Sequence, residues 1–436
     1  MISSEMMAET EAFVSLAQRQ FEQEGNWDMA TLEHGLRKAL FMDGCKILEG
    51  LLNQPGVLGD YVPAGTCHEK RTRKVQCLLG SFELERGYYK TEEGWDFPMD
   101  RSLGLIGSYT PGLAKMMCRA AGTDGSFCEA EQTLRIYAGA EVPASQIRAV
   151  AQQIGPAIAE WSPTREEARC EKVPTMYISY DGTGVPMRKE ETRGRKGKQP
   201  DGSAITRELK LGCIFTAHTT DKEGNPLRDT DSTTYIASFD PAEEFTDILL
   251  GEARLRGLGK ADRCAVLGDG ARWIWKKAGT HFPRAVQILD YYHAREHLSD
   301  LAEALFPDQA ERDSRIKKWV GWLDKDQVLR IVKDAESKLP RSGKRRKKGK
   351  LEIEYLRTNA KRMMYATFKK QDYFIGSGVV EAGCKTVVGK RTKQSGMFWK
   401  VEGAQNILDI RTAVIGDTYN SYWEYRHRKA KLDMAA

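Results

Sequence analysis

Three acidic residues have the types and settings needed for metal-assisted phosphodiester chemistry. They are Asp181 in TMYISYDGTGVP, Asp269 in CAVLGDGA and Glu381 in IGSGVVEAGCK. Each aspartate closes an apolar run and is followed at once by glycine. A strand that ends there would present its carboxylate rigidly, and glycine lets a ligand come close to the backbone. Two divalent cations about 4 Å apart need several carboxylate oxygens converging from separate elements. A first ion would be shared by Asp181 and Asp269, and a second by Asp181 and Glu381, with Asp181 bridging from a central strand. No other trio in the chain has this placement.

Asp290 and His293 lie in QILDYYHAREHL, just past a further strand-like run. They read either as groups near the metals or the scissile phosphate, or as a helix N-cap followed by a half-buried histidine. The same segment spells H-x-x-E-H through His293, Glu296 and His297, an inverted zinc-protease signature. A protease reading leaves Asp181, Asp269, Glu381 and the basic segments without a role, and short motifs match by chance. Around Glu381 a basic set follows, Lys385, Lys390, Arg391 and Lys393, which is either a solvated helix face or a contact for a nucleic-acid backbone. Lys385 lies four residues from Glu381, the spacing of an intrahelical ion pair. Trp399 in GMFW reads as a core residue or as a platform for an unpaired base. Between Arg341 and Lys350, seven of ten residues are basic, including Arg345, Arg346 and Lys347. Such a block forms no core and reads as a flexible linker or a phosphate-contacting loop. Cys67, His68 and Cys77 are too scattered to make a metal site.

The elements that must carry these side chains follow from periodicity. Residues 5–55 alternate at helical spacing, with Phe13, Leu16, Ala17 and Phe21 on one face and Leu36, Ala39, Leu40 and Ile47 on another. VQCLLGSFELERGYY reads as two strands turning at Gly80-Ser81. SFCEAEQTLRIYAG and PASQIRAVAQQIG read as two helices, the second capped by Ser145. They form either a helix-turn-helix unit or an ordinary helical hairpin. From residue 173 come three strand-like runs in succession and then strand alternating with helix. That is the order of an RNase H-like mixed α/β sheet. A helical, charged insertion separates the last strand from SGVVEAGCKTVVGKR, a helix expected to be capped by Ser377. The expected division is 1–60 helical, 61–100 β-hairpin, 101–170 helical and DNA-binding, 171–297 first part of the catalytic core, 298–371 insertion with the basic loop, 372–415 the glutamate-bearing helix, and 416–436 a tail.

Bulk properties narrow the class. The chain has 436 residues, 41% hydrophobic and 29% charged, with net charge +6. It can bury a substantial core, and its clustered basic residues favour a polyanion partner. Nine cysteines without a C-x-x-C pair imply reduced, mostly buried thiols in a cytosolic protein. The polar, acidic start is unlike a secretory signal, and no apolar run approaches a membrane span.

DGTGVP, LGDGARWIW, QILDYYHAREHL and above all GSGVVEAGCKTVVGKRTKQSGMFW resemble bacterial insertion-sequence transposases of the ISKra type, over roughly residues 70–415. The resemblance implies an RNase H-like DDE core with Asp181, Asp269 and Glu381 as the triad and two Mg²⁺ or Mn²⁺ ions. It places Asp290 and His293 in the C/D-x-x-H signature shared with Mutator-like and hAT-like transposases, and it matches the helical insertion. It implies DNA as partner, both transposon ends and target. The N-terminal helices would bind the terminal inverted repeats, at least two copies would assemble on DNA, and the location would be cytoplasmic, at the nucleoid when DNA-bound. A DNA-binding regulator without catalysis and a nuclease without strand transfer are the competing readings. Many relatives carry a cysteine pair where this chain has YYKTEEGWDFPMD, so the N-terminal region is expected to hold its shape by packing, without zinc.

Overall fold

The computed structural model describes residues 11, 12, 14, 15, 18, 19, 22, 23, 28–54, 66–91, 94–165, 173–222, 226–229 and 231–435. Phe13, Leu16, Ala17 and Phe21 lie outside them, as does Cys170. The chain divides into two units, residues 1–154 with 420–436, and residues 155–419.

In the first unit, helix Met29–Leu52 begins at Asp28, whose carboxylate accepts from Ala30 N. It packs on a hairpin of β1 (Thr66–Cys77) and β2 (Gly80–Thr91), extended by β3 (Gly94–Asp96). The shared core is Cys45, Val75, Cys77, Phe82 and Leu84, with Leu48 and Leu52 against it. The buried face of the helix therefore differs from the expected one. Ala39 is buried, but Leu36, Leu40 and Ile47 are exposed. The hairpin also turns earlier than expected, at Leu78-Leu79, with Cys77 paired to Gly80. Gly80 has φ +141°, a conformation that side chains resist. The hairpin is thus no separate segment.

Thr110 caps helix Pro111–Thr123, and Ser126 caps Phe127–Thr133. The latter runs on as a π-helical turn, Leu134–Ala138, and stops at Gly139 with φ +68°. Helix Ala144–Trp161 follows, so Ser145 lies inside it and is no cap. The expected tail is instead a helix, Tyr419–Ala435, with Tyr422 and Trp423 buried.

The second unit is mixed α/β. Its strands are β4 (Val173–Pro186), β5 (Thr206–Thr216), a small ribbon of β6 (Thr219–Thr220) and β7 (Pro226–Leu227), then β8 (Thr234–Ser238), β9 (Ala261–Gly268) and β10 (Val286–Leu289). The main sheet has the order β10-β9-β4-β5-β8. β4, β5 and β8 are antiparallel, and β9 and β10 run parallel to β4. This is the RNase H-like arrangement expected from the sequence, with β4 at the centre. Its strands read as continuous apolar runs because helices cover the faces. Helices Gln309–Leu323, Val328–Glu336, Lys344–Asn359 and Tyr365–Lys370 form the insertion. Trp319 is buried there, its indole N–H donating to Asp334 at 2.9 Å.

The basic block is neither linker nor loop, since Lys344–Asn359 is one helix. It is anchored at its start. Arg345 Nε donates to Ala304 O at 3.0 Å, Arg346 Nη1 to Pro340 O at 2.7 Å, and Lys348 pairs with Asp300 and Glu303. Gly349 lets this helix approach, because a Cβ there would come within 3.1 Å of Leu305. Lys347 stays exposed.

Of the eight described cysteines, four are buried, while Cys67 and Cys128 are exposed, so burial of thiols is only partly general. Among the described residues no helix is long and apolar enough to cross a membrane.

Candidate metal centre

Three neighbouring strands bring three aspartates to one end of the sheet. Ser179 on β4 is level with Leu267 on β9, and Leu289 on β10 is level with Gly268. Two residues beyond Ser179, and one residue beyond Gly268 and Leu289, Asp181, Asp269 and Asp290 follow in lateral order. The carboxyl ends of parallel strands are where ligands bind in such sheets. Asp181 is not at a strand tip as expected. β4 runs on to Pro186 against β5, and Asp181 sits where β9 leaves its other side.

Local packing explains the glycines. A Cβ on Gly182 would meet the Glu208 side chain at 2.6 Å, and one on Gly184 would meet Thr206 at 3.1 Å. Gly270 has φ +100°, and a Cβ there would lie 2.0 Å from the Tyr355 hydroxyl. That hydroxyl donates to Asp269 O at 2.9 Å. The insertion therefore clamps the Asp269 turn. Asp269 Oδ1 also accepts from Ala271 N at 2.9 Å, which fixes the carboxylate.

Asp290 is fully buried. Its Oδ1 accepts from His293 N at 2.8 Å, capping helix Tyr291–Leu305. Its Oδ2 accepts from Ser377 N. Ser377 Oγ lies 3.0 Å from that same oxygen and 2.9 Å from Glu381 Oε1. One hydroxyl proton serves both carboxylates, so only one can receive it at a time. Ser377 thus ties the Asp290 cap to the Glu381 helix and forms no side-chain cap of its own helix.

His293 is one-third exposed, with Nε2 3.7 Å from Glu381 Oε1 and Nδ1 3.0 Å from Glu296. Burial opposes its charge. Asp290, Glu296 and Asp269 outweigh burial and raise its pKa above the ordinary value. The ligand-capable atoms of Asp290, His293 and Glu381 lie within 4.8 Å of one another, the one such group among the described residues. His297 turns elsewhere. Its Nδ1 is 2.6 Å from Glu352 and its ring stacks on Tyr355 at 3.6 Å, so the two histidines of H-x-x-E-H do not share a ligand set.

Asp181 joins this neighbourhood through the Glu381 helix. Cys384 Sγ donates to Asp181 Oδ2 at 3.7 Å. Burial raises the Asp181 pKa, the Gly182 N–H opposes the rise, and the charge of Asp269 adds to it. Burial, together with the charge of Asp181, pushes the Cys384 thiol up to about 12, so it stays a neutral donor. Lys393 reaches the same corner and donates to Thr183 Oγ1. Burial lowers its pKa, against the pull of Cys384 and Asp181.

Past Gly383 the helix widens into a π-turn, Cys384–Gly389. Such bulges often mark functional sites. Glu381 faces His293 and forms no pair with Lys385, which is exposed, as is Lys390. Arg391 is fully buried, with its guanidinium 5.2 Å from the Trp399 ring, so it presents no surface to a polyanion. Trp399 is also engaged. Its indole N–H donates to Thr392 O at 3.1 Å, and its backbone bonds to Pro186 and Arg188. The neighbouring Phe398, which the sequence reading passed over, is the exposed ring at 56%. Tyr355 and Cys384 were missed as well, and Ser377 was given only a capping role. No periodic signal marks them, because their importance comes from contacts across long stretches of chain.

The fold and this site define a mixed α/β protein with metal-capable carboxylates and a histidine gathered at its strand ends. The family model for UPF0236, an uncharacterised protein family, matches residues 66–429, and the chain belongs to that family. No curated protein matches it.

Proposed function

We propose that this protein is a DDE-type DNA transposase that cuts the ends of its own element and joins them to target DNA. The observation that supports the reading is that Asp181 on β4 and Asp269 at the end of β9 neighbour each other at one end of the sheet, with the Glu381 helix tied to Asp181 through Cys384 and Glu381 itself beside His293. The donors gathered within reach of one ion are those of Asp290, His293 and Glu381, two carboxylates and one imidazole, a set that suits hard divalent ions such as Mg²⁺ or Mn²⁺. Asp181 lies close enough to Asp269 for their like charges to raise its pKa, a repulsion that a cation would relieve. Asp181, Asp269 and Glu381 would hold two ions, with Asp290 and His293 beside them. Bound there, such ions activate an attacking oxygen and stabilise a leaving one.

The chain's own groups would do the rest. Ser377 and Asp290 fix the Glu381 carboxylate in place. His293, whose pKa Asp290, Glu296 and Asp269 raise against the effect of burial, offers a proton or positive charge beside it. Lys393 supplies a cation next to Asp181, where a phosphate would sit, and exposed Lys385, Lys390 and Lys347 suit contacts with the DNA backbone. Water attack on a phosphodiester, then in-line attack by the released 3′-OH on target DNA, is the expected sequence. Two ends cut together require at least two copies.

The test is cleavage and joining of labelled end-bearing DNA by the purified protein with Mg²⁺ or Mn²⁺. Cleavage lost on chelation and in Asp181→Ala supports the reading. An Asp181→Ala protein that cuts as well as wild type refutes it. Cleavage without joining identifies a nuclease instead, and salt-dependent binding without cleavage identifies a regulator.

A further inference from the structure

On the edge of the sheet opposite β10 lies a cavity of about 670 Å³, within the range of small-molecule sites. Its walls come from the edge strand β8, helices Ala242–Leu255 and Val401–Ile415, and residues 158–165. Ile158, Ile236, Ile248 and Leu255 give it an apolar body. Its polar groups are not evenly matched. Arg165 is committed to Glu252, and both are largely buried. Asp247 receives His281 Nε2 at 3.1 Å, and Arg254 points to solvent.

Asp409 has no such partner. Gln405 occupies the outer side of β8 like a short strand, with Nε2 donating to Ala237 O at 2.8 Å and Oε1 accepting from Phe239 N at 3.3 Å. The second amide hydrogen of Gln405 goes to Asp409 Oδ1 at 2.8 Å. No donor among the described residues reaches Asp409 Oδ2. The charge that acts on Asp409 is that of Asp240, which is of the same sign. Burial, opposed by the Gln405 bond and assisted by Asp240, raises the Asp409 pKa to about 7. A carboxyl in an apolar cavity with no cation of its own is a site lacking half of an ion pair.

We propose that this cavity binds a small amphipathic organic cation, an alkyl or aryl ammonium, with its head on Asp409 and Asp240 and its hydrocarbon along Ile158, Ile236, Ile248 and Leu255. The inference is independent of the nucleic-acid reading, and the sign of the pocket disfavours a phosphate.

The experiment compares hexylamine, hexanol and hexanoate binding to the full-length protein by calorimetry. Hexylammonium is expected to bind at least about tenfold more tightly than hexanol, with hexanoate not binding, since each tenfold step is a modest free-energy difference. Asp409 must be ionised to pair, so affinity should rise about tenfold between pH 6 and pH 8. The charged groups that line the cavity with it are Asp240, Asp247, Glu252, Arg165 and Arg254. Asp409→Asn separates these, because it should abolish both the preference and the pH dependence. Ile248→Trp, which fills the cavity, should block hexylammonium while leaving Asp409 in place. Equal binding of hexanol and hexylammonium, no binding of either, or a preference that survives Asp409→Asn would each overturn the proposal.

Discussion

The second unit holds carboxylates in two contrasting settings. At the strand ends, Asp181, Asp269, Asp290 and Glu381 crowd together, each with a donor nearby: a backbone N–H, a serine, a thiol or an imidazole. At the β8 edge, Asp409 stands with one amide and a like-charged neighbour. The first arrangement keeps several acids close, with Asp181, Asp269 and Glu381 part-exposed beside the buried Asp290, which suits small ions of high charge. The second makes one acid costly to ionise, which suits a proton or a single monovalent cation. Donor count and spacing, more than burial alone, separate the two.

The contrast breaks most sharply in activity. Asp181→Ala, Asp269→Ala and Glu381→Ala should each lower DNA cleavage by about a thousandfold, on the scale of losing a main electrostatic contributor. Asp409→Ala should leave cleavage within about threefold. Gel assays of end-bearing DNA compare all four variants, and equal losses would merge the two sites into one.

Stability gives the next effect. Asp290→Ala should cost about 3 kcal/mol in urea denaturation, because it leaves buried donors from His293 and Ser377 unmatched. If the cost is under about 1 kcal/mol, the cap is not what joins the Glu381 helix to β10.

Asp409→Asn should act in the opposite direction and only at higher pH. Its folded pKa of about 7 exceeds the ordinary carboxyl value of 3.8, so its native form holds an extra proton between them. The stability this confers is present below 3.8 and lost as pH rises through about 7. The variant should therefore exceed wild type by on the order of 2 kcal/mol at pH 8 and match it near pH 4, read from melting curves. A gain that does not vary with pH would argue against a strained carboxyl.

The smallest expected effect is Tyr355→Phe, about 1 kcal/mol for one lost hydrogen bond to Asp269 O. Its cleavage rate should fall further than its stability suggests. An unchanged rate would show that the insertion merely covers the turn.

The strands were legible from residue 173 onward because they are buried runs with clear ends, and their order sufficed to anticipate the mixed sheet. The positions of Asp181 on β4, Asp269 just past β9 and Glu381 on a helix could be read because each lies in an apolar run close to glycines. The basic helix Lys344–Asn359 was not, since its charged face lacks an apolar period and its anchoring to Ala304 and Asp300 is tertiary. Arg391 misled for the converse reason. A charge in a basic run reads as solvated, whereas here the guanidinium is enclosed beside Trp399. The exposed face of Leu36, Leu40 and Ile47 shows the same limit, because periodicity reveals that a helix has an apolar side but not which side finds a partner.

The Tyr355 hydroxyl makes the insertion more than a cover. Its helix is a sixteen-residue rod, about 24 Å long. One end carries the lysines and arginines of the basic block, and Tyr355, three turns on, holds the bend behind Asp269. The rod packs closely at Gly349 between those two ends, so a change of tilt at its charged end would also shift the hydroxyl that holds the Asp269 turn.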